Sequence, residues 1–121
     1  MKSVAIITNK GPFGSNHTNE AIRLGSGFLG LGEDIDCKLI LTEDAVLFLK
    51  KDMDPGQIGM DSIDQGIEMA DLTEMPVVLV REDMERRGLT ESDLIEYDEL
   101  SIVSEKELSE IVNQYDSVFK M

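Results

Sequence analysis

The sequence is poor in the residues that most often carry chemistry. It has one cysteine and one histidine among 121 residues. A single cysteine excludes an internal disulfide, and one histidine beside it leaves no Cys/His cluster for zinc, so no metal site and no cofactor are expected. Long apolar runs are also missing. Nothing approaches the roughly 20 apolar residues of a membrane-spanning helix. The chain enters a strand from its first residues, so no export signal is expected, and a cytoplasmic location follows. Positive charge is scarce: 11 Lys and Arg face 25 Asp and Glu, a net charge of −14. Such a surface repels phosphate backbones, so direct nucleic-acid binding is not expected. Solubility is the plain reading of this charge, a basic protein partner the sharper one, and a high-salt habitat a third.

What is present reads as one α/β domain spanning residues 1–121. Ser3-Val4-Ala5-Ile6-Ile7-Thr8 is almost unbroken apolar sequence, as in a strand buried on both faces of a parallel sheet. The loop Lys10–Asn16 follows, then a helix over about His17–Leu31 with Ala21, Leu24, Phe28 and Leu31 as its apolar stripe. Gly25, Gly27, Gly30 and Gly32 weaken that helix by about 1 kcal/mol each where they lie inside it. Close backbone approach to the sheet, and to another subunit on a second side, is the reading that accounts for them. Ile35–Leu41, Pro76–Val80, Leu100–Val103 and Asp116–Lys120 read as further strands. Between them fall a short apolar helix at Ala45–Leu49 capped by Thr42 or Asp44, and a capping box at Ser62–Gln65. A charged helix Arg81–Arg87 stopped by Gly88 and a second capping box at Ser104–Glu107 complete the alternation. Strands alternating with helices imply a three-layer α/β/α fold around a mainly parallel five-stranded sheet.

In such a fold the site lies beyond the C-terminal ends of the strands. Three loops converge there: Lys10–Asn16, Thr42–Asp44 and Arg81–Arg87. Gly11, Pro12, Phe13, Gly14, Ser15 and Asn16 form a tight turn whose backbone N–H groups can meet a small anion or nucleotide. The loop carries neither GxGxxG nor GxxxxGK[ST]. His17 stands beside it as a surface or capping residue, or as a hydrogen-bonding partner of a ligand. Asp44 can orient a substrate or cap a helix. Arg81 and Arg87 can balance an anion, or pair, like Arg86, with Glu82, Asp83 and Glu85. Cys37 lies at the far end of the second strand, where a buried structural role is the plain reading. Asp34 and Asp36 beside it would raise its pKa.

Taken in order, these loops resemble the DsrE/DsrF-like proteins, which include the sulfur-relay subunits TusB, TusC and TusD. Gly11-Pro12-Phe13-Gly14-Ser15 is similar to the family's G-x-P-[YFH]-G-[ST] region, and Leu39–Val46 to its strand ending in an acidic residue, a small residue and valine. Asp54-Pro55 falls where the family often has K-P or D-P. Arg87-Gly88-Leu89 resembles its R-G-[LIV] element, and Gln114–Phe119 its A-D-x-V-[LI]-x-F strand. The resemblance implies a compact α/β fold with flavodoxin-like layering, trimeric or hexameric assembly, and a part in passing persulfide sulfur between proteins. Sulfur-carrying members have a cysteine at the end of the strand before R-G-[LIV]; here that position is Val80. The chain therefore reads as a TusC-like, non-catalytic subunit of a sulfur relay. The alternatives are a small-anion or nucleotide-binding module and a carrier that uses Cys37.

Overall fold

The computed structural model describes residues 2–9, 17–29, 35–50 and 74–120. The loop at 10–16, the end of the first helix with Gly30 and Gly32, and the capping box at 62–65 lie outside them, as do Met53, Met60 and Met69.

Five strands form one all-parallel sheet: β1 (Lys2–Thr8), β2 (Ile35–Leu41), β3 (Val77–Val80), β4 (Leu100–Val103) and β5 (Ser117–Lys120). Their order across the sheet is β4-β3-β2-β1-β5. Among the described residues the helices are α1 (His17–Leu29), α2 (Arg81–Arg86) and α3 (Glu105–Asn113), with a 3-10 helix over Glu43–Leu49 and a short 3-10 turn at Glu91–Asp93. From β1 to β4 the chain steps in one direction across the sheet, then returns past β1 to β5. Parallel crossovers keep one hand, so reversing the step moves the crossover helix to the other face. The packing follows that rule. Val4, Ile6, Leu39, Leu41, Val77 and Leu79 face α1, the 3-10 helix and Met84 of α2. Ala5, Ile40, Val78 and Val103 face Leu108, Ile111 and Val112 of α3. Neighbours along β1, β2 and β3 thus enter opposite cores, which is why β1, β3 and the second half of β2 read as continuous apolar runs.

The buried face of α1 differs from the expected stripe. Ala21 and Ile22 are buried, and Leu24 is 38% exposed. The reason is Gly25. A Cβ there would sit 2.8 Å from Met75 Cε and 3.4 Å from Cys37 Sγ, so the helix meets β2 through its glycine. Gly27 needs no such approach, since a Cβ there would meet nothing within 4 Å.

Local signals hold elsewhere. Ser104 opens α3 as a capping box, accepting the Glu107 N–H at 3.1 Å. Gly88, at φ +69°, ends α2: its N–H reaches the Glu85 carbonyl, and Leu89 N–H reaches Met84. These two bonds form a Schellman motif, with buried Leu89 following the left-handed glycine. At the base of the sheet, Asp116 accepts the Ser3 N–H at 2.9 Å and ties β5 to β1. All four β5 residues are exposed.

Candidate functional site

The C-terminal ends of β1, β2, β3 and β5 open into a cleft of about 360 Å³. Its apolar floor is Ile7, Val80 and Leu108, and Val80 is only 1% exposed. Asn9, Glu43 and Lys120 stand on the strand ends, and Asp83, Arg86 and Glu105 on the helices that follow β3 and β4.

Asp83 organises this mouth. It is a 6% exposed carboxylate. One oxygen accepts the Glu43 N–H at 2.9 Å and the other accepts Arg86 Nη1 at 2.7 Å. Glu43 has φ +49°, a left-handed conformation that glutamate rarely adopts, so the Asp83 bond holds a strained turn at the end of β2. Arg86 continues to Glu105 Oε1 at 2.8 Å, joining α2 to the first residue of α3. Glu82 accepts the Glu105 N–H at 3.1 Å and doubles that link.

Arg87 lies beside Asp83, its Nη1 3.9 Å from Asp83 Oδ1. Its Nε donates to Asp44 Oδ1 at 2.9 Å and its Nη1 to the Asp83 carbonyl at 3.1 Å. The Arg87-Gly88-Leu89 element therefore has a structural account: a clamp to the 3-10 helix, a helix-ending glycine and a core side chain.

The expected site residues separate. Gly11, Pro12, Phe13, Gly14, Ser15 and Asn16 lie outside the described residues, and His17 is the first residue of α1. Asp44 is not a helix cap. It is the Arg87 partner, because it lies one residue inside the 3-10 helix rather than before it. Thr42 is not a side-chain cap either: its hydroxyl turns to the Thr8 carbonyl at 3.4 Å. Arg81 pairs with Glu91 at 3.8 Å, not with Glu82 or Glu85, and lines a separate groove. Asp83 and Arg86 are the residues the sequence reading left in the background. Asp83 announces itself only as one acid among 25.

Cys37 is fully buried in β2, and burial together with Asp36 pushes its thiol up to about 11. Its environment opposes thiolate formation, and its strand position puts it at the far end of the sheet from the cleft. Gly25-Ser26-Gly27-Phe28-Leu29-Gly30 spells GxGxxG, but Gly25 and Gly27 lie inside α1. A dinucleotide fingerprint needs those glycines at the turn from strand to helix. Among the described residues no group of His, Cys, Asp and Glu is arranged to hold a metal, and no helix is long and apolar enough to cross a membrane.

Comparison with known proteins agrees with this architecture. The intracellular sulfur oxidation protein DsrF of Allochromatium vinosum is 25% identical over 98% of this chain and 96% of that protein. The crystal structure of the ychN protein from E. coli superposes with a TM-score of 0.83 at 26% identity, covering both chains fully. MTH1491 from Methanobacterium thermoautotrophicum, a protein of unknown function, shares the fold at a TM-score of 0.72 and 9% identity. The profile of the DsrE/DsrF-like family matches residues 2–121, and the chain belongs to that family.

Proposed function

We propose that this protein is a non-carrying subunit of a cytoplasmic sulfur relay, one that shapes an assembly rather than holding the persulfide. The observation that carries this reading is Val80. It closes the floor of the cleft at the end of β3, where sulfur-carrying relatives are expected to place their thiol. A methyl-bearing side chain cannot become a thiolate. The walls add to this, because Glu43, Asp83 and Glu105 surround the position and Arg86 is already engaged by two of these acids. A persulfide anion would face more carboxylate than free cation. Kinship with DsrF supports the setting in sulfur metabolism.

An assembling role is supported by the β5 edge. Val118 is 37% and Phe119 42% exposed, and Leu24 of α1 is the third large exposed apolar side chain among the described residues. Homo- or hetero-oligomerisation, as a trimer or hexamer, would cover them, with other relay proteins as partners.

Sulfur loading tests the proposal. The protein is incubated with a cysteine desulfurase and cysteine, then weighed intact without reductant. The expected result is no added sulfur, together with a stable complex when a cysteine-bearing family member is present. One sulfur gained at Cys37, retained through desalting, would overturn the reading and make the chain a carrier.

A further inference from the structure

We propose that the edge of β4, which pairs with no further strand among the described residues, is a docking site for a basic, extended segment of a partner protein, which would add a sixth strand to the sheet. Three observations converge there. The first is backbone valence. β4 ends the sheet, and the Glu99 carbonyl on its inner side accepts the Val77 N–H. Successive residues of a strand direct their N–H and C=O to opposite sides, so the Ile102 pair and the Leu100 carbonyl face outward. Leu100 N–H is already used by the Tyr97 carbonyl.

The second observation is a groove of about 430 Å³ alongside that edge, in which apolar side chains stand beside the charged Arg81 and Glu91. Leu100 and Ile102 form one wall; Leu94, Ile95 and Tyr97 form the other. The second wall is held in place, since Ile95 N–H donates to the Leu49 carbonyl and the Tyr97 hydroxyl to the Met75 carbonyl at 2.7 Å. A strand added at β4 would direct alternate side chains onto this groove.

The third is charge. Glu91, Asp93, Glu96, Asp98 and Glu99 crowd one nine-residue stretch that contains no Lys or Arg. Arg81, which also lines the groove, is only loosely paired with Glu91 at 3.8 Å. Acids in the segment that leads into an edge strand discourage pairing with a second copy of the same chain, because like charges would meet. The same acids attract lysine and arginine, so the occupant that fits is basic, with apolar residues at alternate positions. The groove and the mouth cleft share no lining residue among those described.

The probe is an acetylated peptide of alternating lysine and valine, about eight residues long. Binding is followed by calorimetry and by amide resonances of the labelled protein. Saturable binding is expected, with shifts at 94–103. Replacing lysine by glutamate should abolish it, and N-methylating alternate peptide nitrogens should weaken it about tenfold or more. Glu96→Lys combined with Asp98→Lys should weaken it by a similar factor at low salt. Ile102→Pro removes the outward donor from an edge strand, which tolerates proline, and should weaken it further. No saturable binding, equal affinity for the N-methylated peptide, unchanged affinity of the charge-reversed protein or shifts at the mouth cleft would each overturn the proposal. So would a dimer dissociated by Ile102→Pro, which would assign the edge to a second copy.

Discussion

Replacing Asp83 by alanine should be the most disruptive single change at the mouth of the sheet. The N–H of left-handed Glu43 would lose a charged, buried acceptor at 2.9 Å. A hydrogen bond to a charged group contributes about 1.5–3 kcal/mol. The Arg86 bond is shorter, but that side chain is 60% exposed, so it adds no more than about 1 kcal/mol. Arg87 keeps Asp44 and the residue 83 carbonyl, so its loss is smaller still. The sum is about 2–4 kcal/mol. Unfolding entropy for 121 residues is about 0.25 kcal/mol/K, so Tm should fall by roughly 8–16 °C. Asp83→Asn retains an acceptor for Glu43 N–H and should lose about half as much. The assay is urea and thermal unfolding by far-UV circular dichroism, repeated over protein concentration so that assembly does not enter the comparison. Arg86→Ala belongs in the same series. If it costs as much as Asp83→Ala, the exposed ion pair dominates and the reasoning is refuted. A loss below about 0.5 kcal/mol in Asp83→Ala would refute it equally.

Gly88→Ala should cost about 1 kcal/mol in the same assay, because its φ of +69° is unfavourable for alanine although a Cβ meets nothing within 4 Å. Gly25 and Gly27 should part company: Gly25→Val should destabilise by about 1–3 kcal/mol through collision with Met75 and Cys37, whereas Gly27→Ala should stabilise by up to about 1 kcal/mol. Equal effects at the two glycines in denaturant titrations would contradict the packing described for α1. Cys37 should resist a thiol-specific reagent until the chain unfolds. Its folded pKa lies above the ordinary 9.0, so the unfolded state loses the proton first, and its contribution to stability should decline as pH rises from 9 towards about 11. Stability that rises across that window in wild type relative to Cys37→Ser would show the opposite sign. Asp116→Ala should free the exposed strand β5 first, seen as faster amide exchange at 117–120 with little change in β2 and β3.

Much of this architecture is legible in the residues because the signals are local and redundant. The apolar runs Val4–Ile7, Leu39–Leu41 and Val77–Val80 can be satisfied only by burial on both faces. Ser104 with Glu107, and Gly88 after a charged helix, mark helix ends through contacts three to five residues long. Those contacts depend on sequence neighbours, so the reading and the structure agree. Where they differ, a distant residue has intervened. The apolar stripe of α1 pointed to Leu24, but the helix rotates towards Gly25 because Met75 and Cys37 leave room for no side chain there. Asp44 reads as a cap until Arg87, 43 residues later, takes its carboxylate.

The candidate site shows the same division more sharply. The sequence alone determines the alternation of strands and helices, the strong acidity, and the absence of a thiol at position 80. These follow from periodicity, composition and residue identity, none of which needs a neighbour in space. Only the tertiary structure decides which of the 25 acids matter. It draws Asp83 out of solvent, bonds it to a strained Glu43 from another strand end, and links it through Arg86 to Glu105. It likewise decides that Arg81 faces a groove on the β4 side and not the cleft. Burial, strain and long-range pairing are properties of the assembled sheet, because parallel strands gather their ends from segments far apart in the chain.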